Sequence, residues 1–177
     1  MAHPNTELLI EYWRSLRRSA RVPDRAGVDP AGFARLAPWA FMAGRGEDGA
    51  FAWRLAGEAV IALHGRPLAG TSFLALWRAP CRARLAATLS GALVAGEPAV
   101  VAAQAPVGRA ERLELEVLFA PLSGPGGSAD RFLGLYQPLR GHLAAPLGEL
   151  ALAERGAASR ALRLATLDGR RIAMSQG

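Results

Sequence analysis

The sequence predicts an α+β domain with an antiparallel sheet, and three observations support this fold class. Two short strands come first, helical segments follow, and three more strands come after them. The last three strands are joined by turns alone, whereas neighbouring parallel strands require a long crossover connection. A chain of 177 residues, 51% of them hydrophobic, has the size and composition of one domain with its own core.

An N-terminal helical extension is expected over residues 1–38, before the first strand. Apolar residues at helical spacing predict an amphipathic helix at 5–19 and define its apolar face: Leu8, Leu9, Tyr12, Trp13 and Leu16. We expect Asn5 or Thr6 to cap this helix. A second, shorter helix is expected after Asp29, because aspartate followed by Pro30 is typical of an N-cap and the first turn behind it.

Residues 39–140 are expected to form the domain that contains the sheet. The first two strands, WAFMAGRG and FAWRLAG, surround a GEDG turn and form a hairpin. Alternation along the second strand predicts one face with three apolar side chains: Phe51, Trp53 and Leu55. Short helices are expected at 57–64 and 71–77, and a longer helix from Ala79 to Ala95 before a C-cap at Gly96.

Three further strands are predicted at 98–106, 109–122 and 131–139. The middle strand has the clearest alternation in the chain, with apolar residues on one face: Leu113, Leu115, Val117 and Phe119. The side chains between them are charged, so we expect Arg112, Glu114 and Glu116 on the solvent side of the sheet. Residues 141–177 form a C-terminal tail whose order the sequence does not decide.

Composition and charge limit the classes of protein to which the chain can belong. The net charge is +6, and all 21 basic residues are arginines spread along the chain, which is typical of a solvated basic surface. No apolar run approaches the roughly 20 residues of a membrane span, and the N-terminus is charged where a secretory signal is apolar. Cys81 is the single cysteine, which excludes an internal disulfide. We therefore expect a cytoplasmic protein with no membrane partner.

A family resemblance emerges from the order and spacing of short motifs: Trp13, Arg-Val-Pro at 21–23, Asp29-Pro30, Leu36, Pro38, Arg54-Leu55-Ala56-Gly57, Gly65-Arg66, Gly70, Phe73 and Trp77. Over residues 8–140 the chain resembles the stand-alone PAS-like domain proteins of alphaproteobacteria. The resemblance implies a PAS fold, a five-stranded antiparallel sheet with flanking helices around a small-ligand cavity or a dimer surface. It also implies a sensory or regulatory role, and it supplies no catalytic residue.

Two sets of candidate site residues follow. The expected cavity wall consists of residues from the inner face of the sheet and the helices over it: Trp53, Leu55, Leu63, Phe73, Trp77, Leu93, Val101, Leu115, Val117 and Tyr136. Arg54 is a further candidate, either as a ligand for an anion or as a cross-strand partner of Glu114 or Glu116. Partner or dimer contacts are expected from the N-terminal helix: Leu9, Tyr12, Trp13 and Leu16.

The residues that could support chemistry are isolated in the sequence. His64 has no evident partner, so haem ligation is not expected, and a surface or helix-terminal contact is the favoured interpretation. Cys81 lacks the helix motif of flavin photochemistry, and no His, Asp and Glu cluster has metal-ligand spacing. Glu114 and Glu116 alternate with leucines instead of forming a pair in a cleft.

The resulting hypothesis is a PAS-like sensory or regulatory protein without catalytic output of its own. It would bind a small molecule, a protein signalling partner or both, and we expect a homodimer. One alternative is an arginine-rich nucleic-acid-associated protein, which would bind DNA with a steep salt dependence. A second is a small enzyme on a cone-shaped α+β sheet, which would need a buried carboxylate or histidine facing the cavity. The sequence identifies neither the ligand nor the partner.

Overall fold

The computed structural model describes residues 2–17, 20–107, 111–140 and 146–153, together with the backbone of 163–164. Within these residues the helices are α1 (Pro4–Leu16), α2 (Glu58–His64) and α3 (Ala79–Ala95), with 3₁₀ helices at Arg25–Gly27, Pro30–Phe33, Ala37–Trp39 and Leu74–Leu76. The strands are β1 (Ala40–Arg45), β2 (Phe51–Ala56), β3 (Ala99–Val107), β4 (Glu111–Ser123), β5 (Ala129–Arg140), β6 (Ala151–Leu152) and β7 (Arg163–Leu164).

The sheet is antiparallel throughout, which confirms the predicted α+β class. Its strand order is β2-β1-β5-β4-β3-β6, and β7 also pairs with β3. The five long strands are those expected from the sequence, but the tail adds β6 and β7, of 2 residues each. A two-residue strand is too short to show alternation. It forms here because the edge of β3 offers unpaired backbone groups.

Both faces of the sheet are covered, and they carry separate cores. The inner face, which bears Phe119, Phe132 and Tyr136, packs beneath α2, α3 and the 3₁₀ helix Leu74–Leu76. The outer face bears Leu118, Leu133 and Leu135 and packs beneath α1 and the segment that follows it. Nine of the candidate cavity residues belong to the inner core, whereas the N-terminal helix belongs to the outer core.

Helix α1 packs against the outer face of the sheet. Leu9 and Trp13 are fully buried against the outer face, and Trp13 Nε1 donates a hydrogen bond of 2.6 Å to the Pro121 carbonyl. Tyr12 and Leu16 are half-buried, and the Tyr12 hydroxyl is hydrogen-bonded to the backbone of Asp29. The apolar face that we expected to contact a partner therefore packs largely on the chain's own sheet.

The beginning of α1 corrects two sequence expectations. The N-cap is His3 instead of Asn5 or Thr6, and its Nδ1 accepts from the Asn5 N–H at 3.1 Å. Glu116 was expected in solvent but is buried, because the start of α1 lies above this part of β4. Its Oε1 accepts a hydrogen bond of 2.9 Å from the His3 N–H, which satisfies one buried carboxylate oxygen.

A bulge in β2 separates residues that were expected to share a face. The β1–β2 register shifts so that Met42 pairs with Leu55 and Ala43 pairs with Trp53, which leaves Arg54 as the extra residue. Trp53 consequently faces the inner core, whereas the side chain of Leu55 is 60% exposed. Arg54 is exposed, and β1 and β5 lie between its strand and β4. It therefore makes no cross-strand pair with Glu114 or Glu116.

Among the described residues, no helix is both long enough and apolar enough to cross a bilayer.

Candidate functional site

Most of the candidate cavity residues meet in one place. Nine of them are buried and belong to the core of the inner face: Trp53, Leu63, Phe73, Trp77, Leu93, Val101, Leu115, Val117 and Tyr136. Leu55 and Arg54 do not join them, since the bulge in β2 turns both away from the interior. Ligand contact by the nine buried residues stays a prediction.

Three rings from three separate elements form what we call the polar aromatic cluster. Trp53 comes from β2, Tyr136 from β5, and His64 is the last residue of α2. The His64 ring lies 5.8 Å from the Tyr136 ring and 6.3 Å from the Trp53 ring, measured between centroids, and Trp53 lies 6.1 Å from Tyr136. Gly65, with a φ of 62°, ends α2 directly after His64 and turns the chain away.

Three buried polar atoms of this cluster have no hydrogen-bond partner among the described residues. They are Trp53 Nε1, His64 Nε2 and Tyr136 Oη, and Trp77 Nε1 in the same core shares this property. Buried polar side-chain atoms are paired in the large majority of cases, and an unpaired one costs about 1–3 kcal/mol. Three such atoms lie on adjoining rings here, so their combined cost is concentrated in one part of the interior.

Burial keeps the titratable members of the cluster uncharged. Burial, and to a smaller extent the positive charge of nearby Arg66, lower the pKa of His64 to about 4, so the imidazole is neutral near neutral pH. Burial raises the pKa of Tyr136 well above the ordinary value, so its hydroxyl keeps its proton. Glu116, the one buried carboxylate of the described residues, lies on the outer face.

Apolar rings enclose the cluster on the sheet side. The Phe73 ring lies 4.7 Å from Trp53, and the Phe41 ring lies 5.5 Å from Tyr136, measured between centroids. Phe41 fits because Gly134 on β5 has no side chain, and a Cβ at that position would meet the Phe41 ring. The polar aromatic cluster is thus set in a wall of flat hydrophobic surfaces.

A short C-terminal segment, residues 146–153, connects the helices above the cluster to the sheet edge. We call it the C-terminal strap. Its Leu147 N–H donates to the Leu63 carbonyl at 2.7 Å, and its Leu150 N–H donates to the Leu76 carbonyl at 2.8 Å. Leu63 directly precedes His64, and Leu76 directly precedes Trp77. His64 and Trp77 each carry one of the unpaired ring nitrogens. From the sequence, this segment was assigned to the C-terminal tail, so its connection to the helices was not predicted.

A surface cavity of about 240 Å³ lies beside β3 and the strap. Its lining is mixed and polar: Arg78, Gln104, Ala105, Pro106, Arg112, Glu149 and Ala151. An Arg112 Nη1 group donates to Gln104 Oε1 at 3.2 Å across this region. None of the residues predicted to bind a ligand lines this cavity.

His64 is the functional candidate that sequence reasoning placed incorrectly. A helix-terminal or surface contact was favoured, but the side chain is buried between two aromatic rings. Part of the signal was present, because Val60, Leu63 and His64 fall on one helix face and all three are buried. Within the described residues, His, Cys, Asp and Glu do not gather in threes that could hold a metal ion.

Comparison with known proteins agrees with the fold. A family model described as a PAS domain matches residues 1–137 of the chain. The match includes α1 and all five long strands except the end of β5, and it ends before the C-terminal strap. No curated protein matches the sequence.

Proposed function

The chain belongs to the PAS domain family, and on that premise we propose that it is a sensory or regulatory protein whose inner core binds a small molecule. One observation carries the proposal, namely the three unpaired polar atoms of the polar aromatic cluster. A ligand that accepts or donates hydrogen bonds there would remove an energetic cost that the protein alone bears. Apolar walls with a few convergent polar groups are also the usual composition of a small-molecule site.

We further propose that the site binds without catalysing a reaction. His64 meets one requirement of the enzyme alternative, because it is a buried histidine in the interior. General acid–base catalysis works best with a group whose pKa lies near the working pH. The pKa of His64 is about 4, and that of Tyr136 is raised, so neither group exchanges protons readily near neutrality.

A change at the site would reach a protein partner through the elements attached to it. The C-terminal strap is hydrogen-bonded to the residues that precede His64 and Trp77. A ligand that moves either ring would therefore strain or relax these bonds, and it would shift the strap only through different affinities for the two arrangements. A homodimer is part of the proposal, with the exposed Leu8 of α1 as an available apolar contact.

Native mass spectrometry of the full chain, together with its absorption spectrum, tests the proposed function. We expect a retained small molecule on the purified protein, with lower occupancy in Tyr136→Phe and unchanged occupancy in Tyr12→Phe. The spectrum would identify haem or flavin, neither of which we expect. Protein that is ligand-free and takes up nothing from a metabolite extract would contradict the proposal. Retention on DNA that falls steeply with salt would favour the nucleic-acid alternative instead.

A further inference from the structure

We propose that the polar aromatic cluster selects an uncharged, planar molecule that accepts hydrogen bonds. This inference rests on the proposed function, because it assigns a chemical class to the ligand of the same site. Its three parts, the acceptor character, the absence of charge and the flat shape, come from different features of the interior.

The acceptor character follows from the inventory of the unpaired atoms. The indole N–H groups of Trp53 and Trp77 donate hydrogen bonds and accept none. The Tyr136 hydroxyl keeps its proton, so it also has one bond to donate. A molecule with only donor groups would leave the Trp53 N–H unpaired. Carbonyl oxygens, ether oxygens or aromatic ring nitrogens on the ligand would satisfy these donors.

The absence of charge follows from the surroundings of the cluster. No Asp, Glu or Arg side chain is buried on the inner face in the part of the chain that the structure describes. An anion placed there would lose its hydration without gaining a counter-ion, which is strongly unfavourable. A cation would gain contacts with the aromatic faces but would leave the indole and phenol donors without acceptors. A neutral ligand avoids both penalties.

The flat shape follows from the arrangement of the rings. Phe41, Phe73, Trp53 and Tyr136 pack with centroids 4.7 to 6.1 Å apart, which is the spacing of stacked and edge-on aromatic pairs. A planar molecule can replace such ring contacts with similar ones when the rings separate. A bulky tetrahedral molecule would need a wider opening between the same rings.

Four probes that share one phenyl ring test this chemical class. Benzamide is neutral and carries an acceptor, benzoate is an anion, phenyltrimethylammonium is a cation, and toluene has no polar group. Dissociation constants are measured by calorimetry or ligand-observed NMR on the full-length chain. We expect benzamide to bind best and each of the others to bind at least about tenfold more weakly, because each loses a hydrogen bond or buries a charge.

Two variants link the selectivity to the cluster. Tyr136→Phe should weaken benzamide binding about five- to tenfold and leave toluene binding unchanged, because only the amide uses the hydroxyl. Trp53→Phe is a second variant, which should weaken benzamide binding relative to toluene binding because it removes the indole N–H, and it keeps the test valid if Tyr136→Phe perturbs folding. Tyr12→Phe removes the same atom from the outer side of the sheet and should leave the affinities of all four probes unchanged.

The outcomes separate this inference from the proposed function. Benzoate or phenyltrimethylammonium binding as tightly as benzamide would overturn the chemical class but leave a small-molecule site. Benzamide binding that is insensitive to both variants would also overturn it. If none of the four probes binds, the class is overturned even where native mass spectrometry finds a retained molecule. A chain that retains no molecule at all contradicts the proposed function itself.

Discussion

The hydroxyl of Tyr136 has opposite expected effects on stability and on binding, which makes its removal informative. This oxygen is fully buried and has no hydrogen-bond partner among the described residues. The Tyr136→Phe substitution removes that oxygen and retains the ring. The ring contacts with Phe41, Trp53 and His64 should therefore persist. The free energy of unfolding then reports on the hydroxyl alone.

The expected gain can be estimated from the cost of an unpaired polar group. Leaving a buried hydroxyl unpaired costs about 1–3 kcal/mol, and the loss of its few packing contacts offsets part of the gain. We expect Tyr136→Phe to raise the free energy of unfolding by about 1 kcal/mol. For a chain of this size this corresponds to a rise of about 2–4 °C in Tm.

Tyr12 provides the matched control, because it is the second of only two tyrosines in the chain. Its hydroxyl donates to the Asp29 carbonyl at 2.9 Å and accepts from the Asp29 N–H at 2.8 Å. Tyr12→Phe should therefore lower the free energy of unfolding by about 0.5–1.5 kcal/mol. Urea unfolding with linear extrapolation measures both variants, provided that the m value stays constant.

The sign of the Tyr136→Phe effect decides the argument. A loss of about 1 kcal/mol or more would mean that the hydroxyl is hydrogen-bonded in the ligand-free protein. The polar aromatic cluster would then carry no unmet hydrogen bond at Tyr136, and the reasoning behind the proposed site would fail.

Three further predictions concern the fold around the site. Because of His64, the free energy of unfolding should fall by about 3 kcal/mol between pH 7 and pH 4. In the unfolded chain the imidazole binds a proton below about pH 6.5, whereas in the folded chain it does so only near pH 4. Urea unfolding across this range should show a smaller decline in His64→Phe, and an identical decline would contradict the assignment. Trp13→Ala should cost about 3–5 kcal/mol, whereas Leu8→Ala, at a side chain that is 52% exposed, should change stability by no more than about 0.5 kcal/mol. Equal losses in thermal unfolding would mean that α1 is not docked as described. Gly134→Ala should lower the free energy of unfolding by about 1–3 kcal/mol, because its Cβ would meet an aromatic ring. Gly91→Ala has open space in α3 and should raise the free energy of unfolding by up to about 1 kcal/mol. A tolerated Gly134→Ala in the same thermal assay would argue against the close packing there.

Much of the fold was predictable because its signals are local. The alternation of Leu113, Leu115 and Val117 identified the inner face of β4, and all three residues are fully buried. The predicted bounds of α3, Ala79 and Ala95, are those of the structure. The helix ends at Ala95 because Gly96 adopts a positive φ of 68° as its C-cap. Such features depend on neighbours within a few positions along the chain.

The expectations that were wrong depend on contacts between distant segments. Glu116 is buried because α1 lies over it, and Leu55 is exposed because a bulge shifts its strand by one residue. The two short strands of the tail form because the β3 edge is free to pair with them. None of these causes leaves a periodic pattern in the sequence.

By itself, the sequence determined the α+β class, the antiparallel arrangement of the long strands and the buried character of Trp53 and Tyr136. Only the tertiary structure decided that His64 meets these two rings and that their polar atoms have no partners among the described residues. The physical reason is that burial follows from hydrophobic periodicity along one element. Hydrogen-bond satisfaction depends on every group that surrounds an atom, and here those groups come from β2, α2 and β5.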